Sequence, residues 1–147
     1  MEHLEKVEIL LVEDNPNDVE LILRALSKHN LDKKVHVLKD GAEALDYIFG
    51  TNTYTGRDVN DRPKVIFLDL KLPGLDGLAV LRKVKSDERT KIIPVVVLTS
   101  SADQRNIIES YQLGVNSYII KPVSFDEFAD TVSEIALYWL LLNLPPN

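Results

Sequence analysis

The sequence has no cysteine, so disulfide frameworks and thiolate chemistry are both excluded. Basic residues are in the minority. The 17 Lys and Arg against 23 Asp and Glu give a net charge of −6. That balance argues against a nucleic-acid backbone or an anionic membrane surface as a partner. No apolar run approaches the about 18 residues that a membrane-spanning helix needs. The longest such stretch is residues 135–142. The opening MEHLEKVEILLVED carries acidic residues and too short an apolar run for a signal peptide. Internal repeats, low-complexity tracts and linkers are also missing. Neither G-x-G-x-x-G nor a Walker motif occurs, so no phosphate cradle for a nucleotide is visible. His3, His29 and His36 are scattered and read as surface or loop positions, which gives a soft metal no cluster to bind. What remains is a chain of 147 residues, 45% apolar and 27% charged. A single cytoplasmic globular domain spanning residues 1–147 is expected.

Within it, short β-like runs alternate with helical patterns. Residues 7–12, VEILLV, form the first strand. Asn15 offers an N-cap oxygen and Pro16 sits at the first helical position, ahead of Val19, Ile22, Leu23 and Leu26 at helical spacing. Residues 35–38 form a second strand, and Asp40 with Glu43 reads as a capping box for a helix bearing Ala44, Leu45 and Ile48. Residues 50–62 are a polar loop, longer than most connections. A third strand spans 65–69, and Asp76 caps a helix with Val80, Leu81 and Val84. VVVLT is the fourth strand, followed by a helix with Ile107, Ile108 and Tyr111 that Gly114 closes. SYIIK is the fifth strand. Ser124 and Glu127 open a last helix, with an apolar stripe of Phe128, Val132, Ile135 and Trp139.

Alternating βα units imply an α/β fold with one parallel sheet and helices on both faces. In such a sheet all strand C-termini emerge at one edge, where ligands bind. The residues found there are polar. Strand one ends in Glu13-Asp14, strand three in Asp69, strand four in Thr99-Ser100 and strand five in Lys121-Pro122. Each has a bland reading alone, as a helix cap, a β-favouring threonine or a solvated lysine. Together they bring carboxylates, hydroxyls and an ammonium to the one edge built for binding. Crowded carboxylates raise one another's pKa unless a cation neutralises them. Oxygen-only ligands at an open edge suit Mg²⁺, with Mn²⁺ as a substitute.

The set resembles the receiver domain of two-component response regulators. The resemblance rests on LLVEDNPND, IFLDLKLPGLDG, VVVLTSSAD and YIIKPVS, in that order and spacing, and it covers nearly the whole chain. It implies a flavodoxin-like sheet of order 2-1-3-4-5. It makes Asp69 the phosphoryl acceptor, with Thr99 and Lys121 completing the catalytic set. Mg²⁺ would be held by Glu13, Asp14, Asp69 and the backbone carbonyl of Lys71. Thr99 and Tyr118 would form the switch, and the Lys121-Pro122 bond would be cis. The implied activity is that of a stand-alone signalling receiver, not an enzyme acting on an external substrate. It catalyses its own phosphotransfer from a histidine kinase and its own dephosphorylation, and it switches a protein-interaction surface. The long loop before strand three and the apolar tail make the chain most similar to stand-alone receivers that serve bacterial phytochromes, which implies a phytochrome-type sensor kinase as partner.

Two positions depart from the family pattern. Glu13 stands where many members have Asp, and Lys71 is unusual two residues beyond the acceptor. Lys71 also argues against a haloacid-dehalogenase-like phosphatase, which needs an Asp there as general acid. A degenerate receiver that only mediates contacts is disfavoured by the intact polar set. Finally, residues 134–147 form an apolar helical extension whose Ala136, Leu137, Tyr138, Leu140, Leu141, Leu142 and Leu144 point in almost every direction. A helix apolar all round is buried on more than one side. The bland alternative is that the tail folds back over the monomer; a homodimer through this extension and the edge of strand five is the expectation favoured.

Overall fold

The computed structural model describes residues 6–121 and 125–144. Five strands form one parallel sheet in the order 2-1-3-4-5: β1 (Ile9–Val12), β2 (Val35–Leu38), β3 (Val65–Leu68), β4 (Val95–Thr99) and β5 (Ser117–Ile120). Five α-helices connect and cover them: α1 (Pro16–Ser27), α2 (Gly41–Phe49), α3 (Gly77–Ser86), α4 (Gln104–Leu113) and α5 (Phe125–Leu137). Ile9 of β1 aligns with Val35 on one side and Val65 on the other, which brings the central strand ends level.

The three central strands are apolar without alternation because both faces are covered. Leu10, Val12, Ile66, Leu68, Val95 and Val97 point to one face and pack with Ala44 and Ile48 of α2 and Val80, Leu81 and Val84 of α3. Ile9, Leu11, Val65, Phe67, Val96 and Leu98 point to the other, against Ile22 and Leu26 of α1 and Val132 and Ala136 of α5. Burial at about 1.5–3 kcal/mol per large apolar side chain makes this pair of layers the main stabilising term.

The expected helix ends are present. Asn15 Oδ1 accepts from the N–H groups of Asn17 at 2.9 Å and Asp18 at 3.3 Å, and Gly114 closes α4 in the left-handed conformation. Asp40 caps α2 through the N–H of Glu43, but the Glu43 carboxylate accepts from the Tyr54 hydroxyl at 3.2 Å. Ser124, the peptide before Pro122 and His3 lie outside the described residues.

Four readings change. The ladders are shorter than expected: β1 starts at Ile9, not residue 7, β3 ends at Leu68, not Asp69, and β5 ends at Ile120, not Lys121. The loop 50–62 contains a 3₁₀ turn (Asn52–Tyr54) and is tied down: Arg57 stacks on the Tyr47 ring at 4.1 Å and donates to Tyr47 O at 2.8 Å. His36 is not a surface residue. It sits half-buried in β2, stacked 4.6 Å from Tyr47. The buried stripe of α5 is Phe128, Ala129, Val132 and Ala136 and continues to Leu140, while Ile135 and Trp139 are half-buried at its margin. Residues Tyr138–Leu142 form a π-helical turn, whose wider spacing turns Leu140 inward in place of Trp139.

Candidate functional site

The site grows from the ends of β1, β3, β4 and β5. Phe67 and Leu68 are locked in the core, so the next residue has little freedom. The N–H of Asp69 donates to Val12 O at 3.0 Å, which leaves its carboxylate at the sheet edge. There Asp69 Oδ1 accepts from the N–H of Lys71 at 3.0 Å and Oδ2 accepts from the Lys121 ammonium at 2.9 Å. Gly77 fixes the loop that follows: its N–H donates to Leu70 O at 3.0 Å, and a Cβ there would lie 2.2 Å from Asp69 O. Only glycine lets α3 start this close to the end of β3.

Glu13, Asp14 and Asp69 each present a carboxylate oxygen, all within 4.8 Å of one another. Glu13 is buried and Asp14 exposed, so the group opens to solvent on one side. This donor set fits a hard divalent cation that keeps part of its water shell. Lys71 faces the site through its amide, and its side chain is exposed.

Lys121 follows β5, with its N–H bonded to Thr99 O at 2.7 Å. Its ammonium donates to Glu13 Oε1, to Asp18 Oδ2 at 2.8 Å and to Asp69 Oδ2 at 2.9 Å. Burial opposes its charge, but those three carboxylates outweigh it and hold its pKa above the ordinary lysine range. Burial of Glu13, reinforced by its hydrogen bond with Asp69, pushes its carboxyl up to about 7 against the pull of Lys121. Asp69 is pushed up by burial too, but Lys121, Glu13 and the Lys71 N–H together bring it below the usual carboxylate range.

Thr99 is fully buried, and its Oγ1 accepts from the N–H of Ser101 at 3.3 Å. The Tyr118 hydroxyl donates to the carbonyl of the same residue at 2.8 Å. Ser101 therefore links Thr99 and Tyr118.

Sequence reasoning brought Glu13, Asp14, Asp69, Thr99 and Lys121 to the right edge and missed Asp18 and Ser101. Asp18 is the third residue of α1. A helix that opens straight from a strand end turns its first-turn acid back toward that edge, which is the signal that was present.

The response regulator receiver domain model matches residues 9–133. The chain belongs to this family. It is 44% identical over 139 residues to the probable methanogenesis regulatory protein FilR2 of Methanothrix harundinacea, covering 95% of this chain and 87% of that one. The crystal structure of the phosphorylated cyanobacterial phytochrome response regulator RcpA superimposes with a TM-score of 0.87 at 39% identity, over 97% of this chain and 99% of that one. That of the Mn²⁺-bound form of response regulator Rcp1 gives 0.85 at 36% identity, over 95% and 98%. The receiver has the flavodoxin-like sheet order of these neighbours. No helix among its described residues is long and apolar enough to cross a membrane.

Proposed function

We propose that this receiver is a stand-alone response regulator. It takes a phosphoryl group from a sensor histidine kinase onto Asp69. One observation carries the reading. The Asp69 carboxylate is oriented by an N–H on one oxygen and an ammonium on the other, beside two further carboxylates suited to a divalent cation. An Asp69 oxygen attacks phosphorus, the N–P bond to the kinase imidazole breaks, and the imidazole leaves with the bonding pair. The product is an acyl phosphate, which water later cleaves to carboxylate and inorganic phosphate. When bound, Mg²⁺, or Mn²⁺ in its place, would supply charge neutralisation on the transferring oxygens. Glu13, Asp14, Asp69 and the Lys71 carbonyl would hold it. Lys121 pairs with the same oxygens from the other side.

The switch runs through Ser101. A phosphoryl group on Asp69 adds a charge of about −2 and draws the Thr99 hydroxyl toward it. Thr99 then gives up the Ser101 N–H, the segment carrying the Ser101 carbonyl moves, and the Tyr118 hydroxyl loses its acceptor. The surface around β5 and α4 changes with it. This is signalling in the cytoplasm rather than turnover of an external substrate. The receiver family model covers residues 9–133, and the apolar extension runs on from residue 134. Similarity to a phytochrome response regulator supports a phytochrome-type kinase as donor.

The reading includes a homodimer. Leu141, Leu142 and Leu144 are 72%, 76% and 91% exposed, more than a monomer usually leaves in one patch. The edge strand β5 exposes Ile120, and α4 exposes Ile108 and Tyr111. A second copy covers such a surface symmetrically.

The test is incubation with acetyl phosphate, with and without Mg²⁺, followed by intact mass. Mg²⁺-dependent gain of one phosphoryl group that Asp69→Asn abolishes is expected. Persistent labelling of Asp69→Asn would refute the assignment.

A further inference from the structure

The Lys121 ammonium has three N–H donors and three carboxylates around it. The three acceptors are not equivalent. Glu13 and Asp69 belong to the converging group that can take a cation, and Asp18 does not. Asp18 arrives on α1, where the helix end is already capped by Asn15. Its carboxylate is free to serve Lys121 alone, and at 24% side-chain exposure it sits at the mouth of the site, whereas Glu13 is 1% exposed.

We propose that Asp18 is a positioning residue for phosphotransfer: it anchors the Lys121 ammonium over Asp69 while a divalent cation occupies Glu13 and Asp69. The inference rests on the receiver reading. A cation among Glu13, Asp14 and Asp69 claims two of the lysine's three acceptors and repels its charge. Asp18, outside that group, remains bonded to the ammonium and offsets the repulsion. Nζ then stays where the phosphoryl oxygens gather. Without Asp18, a flexible four-carbon stem carries a strongly hydrated charge, and it relaxes toward water. Asp18 touches neither metal nor phosphoryl group and acts only through Lys121.

Asp18→Asn removes the charge and keeps the shape, and Asp18→Glu keeps the charge. Each is compared with the wild-type chain, and Asp18→Asn also with a Lys121→Met background. The measurements are acetyl-phosphate labelling at saturating Mg²⁺, Mg²⁺ titration, and thermal unfolding of the metal-free chain. Asp18→Asn should slow labelling about tenfold, as expected for a lost charge-assisted contact. Its Mg²⁺ affinity should change less than about threefold, because losing a negative charge and releasing a competing ammonium act in opposite directions. Asp18→Glu should recover most of the rate. In the Lys121→Met background Asp18→Asn should have no further effect on rate, and the two should be non-additive in metal-free unfolding. Unchanged labelling by Asp18→Asn, or equal slowing with and without Lys121, would overturn the anchor. A wild-type chain that never labels at Asp69 would instead remove the receiver reading and the anchor with it.

Discussion

Gly77→Ala tests how the fold holds Asp69, the proposed phosphoryl acceptor. Alanine is the better helix former by about 1 kcal/mol, so on propensity alone the change should stabilise α3. Sterics decide otherwise. The new Cβ would lie 2.2 Å from Asp69 O and 2.6 Å from the Leu70 Cα, both backbone atoms that cannot rotate away. Reaching ordinary contact needs a shift of more than about 1 Å between α3 and the end of β3. Overpacking of this kind costs about 1–3 kcal/mol, or a drop in Tm of about 3–10 °C for a domain of this size. The displaced atoms belong to the Asp69 peptide, so labelling should slow by up to about a hundredfold, the cost of a misplacement near 1 Å. Gly74→Ala is the matched control in the same loop. Gly74 has φ 69 and nothing within 4 Å of its Cβ position, so alanine meets only the left-handed cost of about 1–2 kcal/mol. Thermal unfolding and acetyl-phosphate labelling measure both effects. If Gly77→Ala labels as fast as Gly74→Ala, close approach at Gly77 does not position Asp69.

Three further outcomes are expected. The Glu13 carboxyl, held at about 7 by burial against an ordinary 4.5, favours the protonated folded state. Metal-free stability contributed by this group is full below pH 4.5 and falls as pH rises through 7. Glu13→Gln should flatten that slope in urea unfolding with chelator present, and an unchanged slope would mean that another group titrates. Thr99→Val should still label at Asp69 but leave the Ser101 and Tyr118 NMR signals where they were before labelling; signals that move as in wild type would break the proposed route. Leu141→Glu with Leu142→Glu should yield a monomer in sedimentation without loss of Tm, since both side chains are exposed while Leu140, at 6% exposure, belongs to the core. A wild-type chain already monomeric at high concentration would remove the dimer.

The fold was legible because each element carries its own signal. The central strands are short apolar runs, and four helix ends show a capping residue where the structure places one: Asn15, Asp40, Asp76 and Gly114. Periodicity misled in the last helix, first at Ile135, where Ala136 takes the buried place within regular α5, and again where the helix stops being regular. The 3.6-residue repeat through Phe128, Val132 and Ile135 points to Trp139, and the π turn at Tyr138–Leu142 breaks that repeat. The boundary between core and surface in the tail falls after Leu140. His36 was misjudged for a different reason. A lone histidine in a strand has no periodic signature, and its partners Tyr47 and Tyr54 come from α2 and the following loop.

The site divides along the same line. Residues at strand ends could be placed from topology, because a parallel sheet sends every C-terminus to one edge. Topology could also have placed Asp18, a first-turn acid of the helix that follows β1, but not its bond to Lys121, and Ser101 acts through its backbone N–H and carbonyl, which residue type does not signal. Yet Asp18 bears on how the charges balance. With Lys121 shared among Glu13, Asp18 and Asp69, no single carboxylate holds it alone. A cation that claims Glu13 and Asp69 does not strand the lysine, because the third partner stands on a helix the metal does not use. The end of β1 and the first turn of α1 thus supply both the acids proposed to face a cation and the acid proposed to keep the lysine in reach. The two halves of the charge needed around a transferring phosphoryl group are therefore held by neighbouring residues of one segment.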